Sequence, residues 1–339
     1  MKNSVVQPSS NGGCEDVTYK DNKMPTLSEY QKLANDDVTA GVFDNIITAS
    51  ELAPFLQFTS FSGNSLVYNR ESTLGAAATH QVGDIWSDTE PTYTKKTVSL
   101  TTVGVQHPLD RFAMQTADNV QSQEAVLLSK MAKSIVRKLE DLLITGNSGS
   151  TSTEPEGLTS LLISDSRLLM MDDGSQPSTI AGAETELTLD RLDAMIDLVE
   201  NGKPDFLMMN KTMRRKLTSL ARATGSGVTL TSADMFGHQY VLYNGIPVVI
   251  NDYITNSEQY ENAGGWGSST ATTIYAVKTG QEKQGWTIIH NGTVLDPDIQ
   301  RLGTKFDKNE DAYRMAVYLN AVVYSAKSCA GLAGIDSAA

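Results

Sequence analysis

The sequence predicts an α+β protein, and three stretches carry that prediction. Residues 118–146 have the pattern of one long amphipathic helix, residues 65–70 and 97–101 read as strands on either side of a long connection, and residues 188–250 alternate helix and strand signals. Between Asp118 and Thr145 there is no Pro or Gly, and Leu128, Met131, Ile135, Leu139 and Leu142 recur at steps of three and four. Asp118 is placed to cap the first free N–H groups, and Gly146 is expected to end the helix in the left-handed conformation. About 28 residues make a rod of roughly 42 Å. Its other face carries Lys130, Lys133, Arg137 and Glu140, with Arg137 and Asp141 spaced to pair at i,i+4, so the rod is a half-buried spine without chemistry of its own.

The strands are justified next. Ser65-Leu66-Val67-Tyr68-Asn69-Arg70 and Thr97-Val98-Ser99-Leu100-Thr101 flank about 25 residues of small and polar character, including Gly75-Ala76-Ala77-Ala78, Gly83-Asp84, Trp86 and Pro91. A long projecting hairpin of this kind is marginal alone and needs something to lie upon, the first sign of a partner subunit. Ahead of it, residues 1–25 are polar, with Ser9-Ser10-Asn11-Gly12-Gly13, and read as a disordered or extended arm. Thr26-Leu27-Ser28-Glu29 resembles a capping box, and a second helical patch near 42–52 leads to Pro54.

After the spine, a flexible loop at 147–153 is closed by Pro155-Glu156-Gly157-Leu158, and the chain to about 187 is turn-rich, with Asp172-Asp173-Gly174 and Gln176-Pro177. Thr188 can cap a helix over 189–200 that sets Leu192, Met195, Ile196 and Val199 on one face. Phe206-Leu207-Met208-Met209 reads as a buried strand, 211–223 as a basic amphipathic helix, and Tyr240-Val241-Leu242 with Ile246-Pro247-Val248-Val249-Ile250 as a hairpin through Asn244-Gly245. A glycine-rich turn at 264–269 precedes strands at 273–277 and 286–290. A long strand over 311–324 alternates at Tyr313, Met315, Val317 and Leu319. No internal repeat of 20–50 residues is present.

Composition narrows the function. The net charge is 27 − 40 = −13, which argues against a protein that grips nucleic acid, because neutralising phosphate needs clustered Lys and Arg. It suits a surface that sits near anions without sticking. Cys14 and Cys329 form no CxxC, so neither a disulfide framework nor a zinc site is expected, and a reducing compartment is implied. No apolar h-region or membrane span is seen, and the sequons at Asn210 and Asn291 carry no weight.

Catalytic signatures are missing. His80, His107, His238 and His290 show no metal-binding spacing, and each is expected to be an exposed or hydrogen-bonded structural histidine. The sequence has no GxGxxG, GxSxG or HExxH, and Asp172-Asp173-Gly174 lacks the spacing of a calcium loop. No cofactor is expected. Arg214, Arg215 and Arg222 form a basic patch that suits a solvated face or subunit contact better than nucleic acid.

The order of parts resembles the major capsid protein of tailed double-stranded DNA phages, the Hong Kong 97 fold. Trp86 to His107 followed by Pro108-Leu109-Asp110-Arg111-Phe112 is similar to that family's extended E-loop, and Leu142-Leu143-Ile144-Thr145-Gly146-Asn147 with Pro155-Glu156-Gly157-Leu158 to its spine exit. Asp205-Phe206-Leu207-Met208-Met209-Asn210 and Leu242-Tyr243-Asn244-Gly245-Ile246-Pro247-Val248 are similar to its axial strand and hairpin. The resemblance, over about 40–335, implies an N-terminal arm (1–57), an E-loop (58–108), a peripheral domain (109–185 and 282–325) and an axial domain (186–281 and 326–339). It also implies a loop from Pro297 to Glu310 near three-fold contacts.

By the same resemblance the chain forms pentamers and hexamers of a shell around double-stranded DNA, which it does not bind sequence-specifically. Portal and decoration proteins are implied partners, with no membrane, and the shell is a virion component assembled in the host cytoplasm. Subunit-contact roles fall on Trp86, Lys95, Lys96, Arg111, Arg137, Arg214, Arg215, Asp298 and Arg301. No helical scaffolding region precedes Thr26, so a separate scaffolding protein, or none, is expected. The family's Lys–Asn cross-link has candidates in Lys95 or Lys96 with Asn291 or Asn320, but no motif selects them. Rival readings are an encapsulin-like shell around an enzyme, a two-domain α/β enzyme and, third, a tail or adaptor protein. The enzyme would need a convergent polar pocket, for which the sequence offers no residues.

Overall fold

The computed structural model describes residues 52–86, 88–112, 123–149, 151–171, 185–200, 202–223, 230–235, 238–258, 271–291, 298–304 and 309–338. All belong to one compact unit spanning 39–339. The polar arm, the capping box at Thr26, the Asp118 cap, the Asp172-Asp173-Gly174 turn and the glycine-rich turn at 264–269 lie outside the described residues.

Two mixed sheets organise the chain. The first contains β1 (Phe58–Ser60), β4 (Thr101–Asp110), β11 (Trp286–His290), β12 (Asp298–Thr304) and β13 (Glu310–Val323). β13 pairs with β4 along one edge, while β12 and β11 share the other edge in tandem. The second sheet runs in the order β5 (Leu168–Met170), β14 (Cys329–Asp336), β10 (Ala271–Val277), β6 (Phe206–Met209), β9 (Ile246–Ile250), β8 (His238–Tyr243), β7 (Leu230–Met235). A two-stranded ribbon, β2 (Ser65–Thr73) with β3 (Thr92–Ser99), stands apart from both.

The spine is α1 (Gln123–Thr145), and Leu128, Met131, Ile135, Leu139 and Leu142 are all buried, as their spacing predicts. Two details differ. Asp141 pairs with Lys138 at 2.9 Å rather than with Arg137. Gly146 is not left-handed, because its φ is not positive. A Cβ there would overlap the carbonyl oxygens of Leu142 and Pro155, and the Gly157 N–H donates to the Gly146 oxygen at 2.8 Å. Close backbone approach, not turn geometry, selects glycine here.

The segment read as turn-rich forms α2 (Leu158–Ser164) and β5. The Thr159 hydroxyl donates to the Ile144 oxygen at 2.9 Å and so ties α2 to the spine. Helices α3 (Leu189–Asp197) and α4 (Lys211–Ala223) fall where the sequence places them, although α3 stops short of 200, and the Thr188 hydroxyl accepts the Arg191 N–H. One buried cluster joins Leu192, Met195 and Ile196 of α3, Met213 and Leu217 of α4, and Leu207, Met209 and Ile274 of the larger sheet. Both helices therefore cover one face of that sheet. On the β8–β9 turn, Asn244 (φ 51°) and Gly245 (φ 82°) are both left-handed, as an Asn-Gly hairpin requires.

β13 is not an alternating strand. Ala312, Tyr313, Met315, Ala316, Val317, Leu319 and residues 320–323 are buried on both faces, because the strand is central to its sheet. The region expected to be a loop from Pro297 to Glu310 instead begins as strand β12, hydrogen-bonded to β13. β1, β7 and β14 were not marked by period at all. Among the described residues, no helix is long and apolar enough to cross a membrane.

Candidate functional site

The ribbon is the part of the described chain that its own body does not cover. β2 and β3 pair in antiparallel register from Ser65↔Ser99 to Thr73↔Thr92, so their residues alternate across a surface with little behind it. Beyond them, residues 74–91 are tied by a few local bonds. The Gln81 N–H donates to the Asp84 carboxylate at 2.7 Å, the Thr89 hydroxyl to the Ala76 oxygen at 3.2 Å, and the Trp86 ring lies against His80 with centroids 4.1 Å apart. Leu74, Ile85, Trp86 and Tyr93 are 79%, 95%, 74% and 66% exposed, so the tip presents apolar side chains to solvent.

The root is built differently. Arg70 Nη1 lies 2.6 Å from Asp165 Oδ1, with side chains only 14% and 8% exposed. The same guanidinium donates from Nη2 to the Val323 oxygen at 2.6 Å and from Nε to the Tyr324 oxygen at 3.0 Å. Beside it the Tyr68 hydroxyl donates to the Val323 oxygen at 3.1 Å, and its ring meets Tyr324 edge-on at 5.3 Å. Burial raises the pKa of both tyrosines, so both stay neutral and the Tyr68 hydroxyl keeps the proton it donates. These contacts engage carbonyls at the C-terminal end of β13, which β11 pairs on one edge and β4 does not reach on the other, and Asn320 Nδ2 adds a bond to the Ser99 oxygen at 2.6 Å. Between ribbon and body lies a groove of about 900 Å³, lined by Arg70, Leu74, Tyr93, Gln281 and Lys327 among others. The arrangement holds an apolar arm out on a rigid base.

The residues expected to make subunit contacts are dispersed. Trp86 is at the exposed tip, and Lys95 and Lys96 are on β3, Lys95 exposed and Lys96 half-buried. Arg111 pairs with Asp311 at 3.1 Å, which holds that carboxyl below its usual range. Arg301 pairs with Glu124 of the spine and lies 5.8 Å over the Tyr313 ring. Arg137 is exposed on α1, Arg214 and Arg215 on α4, and Asp298 starts β12. Of the cross-link candidates, Asn291 is exposed, but Asn320 is buried with its amide already donating to Ser99, which removes it as an acceptor for a lysine.

His290 corrects the expectation for histidines. It is buried on β11 with neither ring nitrogen bonded, and burial lowers its pKa. Sequence reasoning missed Arg70, Tyr68 and Asp165. The only signal was that Tyr68 and Arg70 share one side of an alternating strand, and nothing pointed to their distant partners.

A model of the phage capsid family matches residues 32–325 of this sequence. No curated protein matches it. Among solved structures, an encapsulin of Synechococcus elongatus, from the holo-SrpI complex, superposes with a TM-score of 0.60 at 16% identity, covering 85% of this chain and 88% of that one. The capsid of a native GTA particle gives 0.60 at 15% identity, over 84% and 90% of the two chains. The Microbacterium phage Oxtober96 structure gives 0.56 at 13% identity, over 84% and 89%. At these identities the likeness is one of fold.

Proposed function

This chain belongs to the phage capsid family, and on that premise we propose that it is the major capsid protein of a tailed double-stranded DNA phage, assembling as pentamers and hexamers into a closed icosahedral shell around the genome. It is a structural, shell-forming protein and not an enzyme. The observation that carries the finer reading is the β2–β3 ribbon, whose root is locked by Arg70 and Asp165 while Leu74, Ile85 and Trp86 stand bare at its tip. Such a surface is a liability for a monomer and becomes useful once another copy covers it.

In this reading the ribbon is the E-loop within 58–108, and residues 1–57 are the arm. The peripheral domain comprises 109–185 and 282–325, and the axial domain 186–281 and 326–339. Trp86, Lys95, Lys96, Arg111, Arg137, Arg214, Arg215, Asp298 and Arg301 face neighbouring copies. A portal, decoration proteins and either a separate scaffolding protein or none are the partners of such a shell, and the shell forms in the host cytoplasm.

The likeness to the Synechococcus encapsulin supports a second reading, a shell around a protein cargo. One experiment separates them: purify particles after expression with the chain's genetic neighbours, image them by negative stain and analyse their contents. Closed particles with nuclease-protected double-stranded DNA are expected. A protein cargo without DNA selects the second reading, and a monodisperse small species at high concentration overturns both.

A further inference from the structure

Helices α3 and α4 lie on one face of the larger sheet and turn opposite charges to solvent. Their inner residues share a single buried cluster, which fixes the rotation of each helix. On α3 this leaves Asp190, Asp193 and Asp197 exposed at i, i+3 and i+7. On α4 it leaves Arg214, Arg215 and Arg222 exposed.

Neighbouring cations already have partners in their own chain. Lys211 pairs with Asp252 at 2.6 Å, Lys216 donates to the Asp336 oxygen at 2.5 Å, and Lys203 to the Asn244 oxygen at 2.8 Å. Asp193 accepts the Tyr243 hydroxyl at 2.7 Å. Among the described residues, Asp190 and Asp197, and the side chains of Arg214, Arg215 and Arg222, have no such partner. The planar forks of these three arginines suit carboxylates. Both ridges sit on packed helices, so pairing them requires no ordering of loops.

We propose that the acidic ridge of α3 docks against the basic ridge of α4 in a second copy of this chain, a head-to-tail contact that closes the capsomer ring. The proposal rests on the shell reading. Repeating one heterologous contact around an axis gives every copy the same two neighbours. Like ridges repel, which rejects pairings of α3 with α3 or α4 with α4.

The test uses the full chain in three forms: Asp190→Arg with Asp197→Arg, Arg214→Glu with Arg215→Glu, and all four changes together. Near-ultraviolet circular dichroism reports folding, while light scattering and negative stain report assembly. Each double variant is expected to fold but to need about tenfold or more higher concentration to assemble. The fourfold variant, and an equimolar mixture of the two doubles, are expected to recover assembly. If a reversed chain does not fold, the neutral pairs Asp190→Asn with Asp197→Asn and Arg214→Gln with Arg215→Gln carry the same test.

Normal assembly by either double variant overturns the contact, as does a folded fourfold variant that stays unassembled. Normal assembly of the α4 variant with less enclosed DNA also overturns it and assigns those arginines to nucleic acid. Wild-type chain that forms no particles overturns the shell reading itself, whereas intact wild-type shells with unaffected variants overturn only this contact.

Discussion

Arg70 directs Nε, Nη1 and Nη2 to three acceptors, Asp165 and the carbonyls of Val323 and Tyr324, that come from two distant segments of the chain. A lysine offers one ammonium and cannot span that fork. Removing one partner of so well-buried a pair leaves the other charge uncompensated. Arg70→Ala is therefore expected to cost about 3 kcal/mol in urea unfolding of unassembled protein, with Arg70→Lys recovering only part; full recovery by lysine would show that charge alone suffices. Gly146 obeys a different constraint, since a Cβ would meet two carbonyl oxygens at the spine exit, and Gly146→Ala should cost about 2 kcal/mol. His290 adds a pH dependence. Burial lowers its pKa below the ordinary 6.5, so between that value and its folded-state pKa the unfolded chain binds a proton that the folded chain does not. Stability is fully present above about pH 6.5 and is lost as pH falls through that window. With both nitrogens unpaired, His290→Leu should flatten this slope in unfolding curves at pH 7 and pH 5.5, and an unchanged slope would place the titration elsewhere.

At the scale of elements, the ribbon's tip should be separable from the fold. The ribbon's strands make their ladder with each other, and its tip is exposed, so replacing residues 74–91 by an Asn-Gly turn should leave the melting temperature within a few degrees while abolishing particles. Loss of folding would mean that the tip has a structural task in the isolated chain. The sequence made some elements legible and hid others for physical reasons. The spine declared itself through an uninterrupted helical period, and the β8–β9 hairpin through Asn244-Gly245, whose backbone needs left-handed residues. β14 carried no such mark. It is rich in small residues, a Cβ at Gly331 would press on a Leu168 methyl 2.5 Å away, and its ladder is made with β5 and β10 from distant parts of the chain. β13 looked two-sided because its large residues alternate, yet Ala312, Ala316, Asn320 and Val322 fill the other face. The bare tip could be anticipated from its composition, but the anchor could not, because 95 residues separate Arg70 from Asp165.

For the whole molecule, charge decides how the shell meets its contents. Each copy carries −13, and of the described cations Arg70, Arg111, Lys138, Lys211, Lys283, Arg301 and Lys327 are already paired with carboxylates in the same chain. Binding to duplex DNA draws its strength from cations that replace condensed counterions, with affinity falling steeply as salt rises in proportion to the phosphates neutralised. A wall built from these copies offers only the cations left unpaired, against a net field that repels phosphate. If the three arginines of α4 are engaged by a neighbouring copy, the supply is smaller still. Isolated capsomers are therefore expected to show weak duplex binding even near 50 mM salt, with a shallow salt slope, and under the proposed phage reading a genome would be held by enclosure and not by adhesion. Titration of capsomers with labelled duplex across a salt series measures this directly. Tight binding with a steep slope would show that the net charge hides a concentrated basic surface, and DNA would then have to be treated as a ligand of the inner wall.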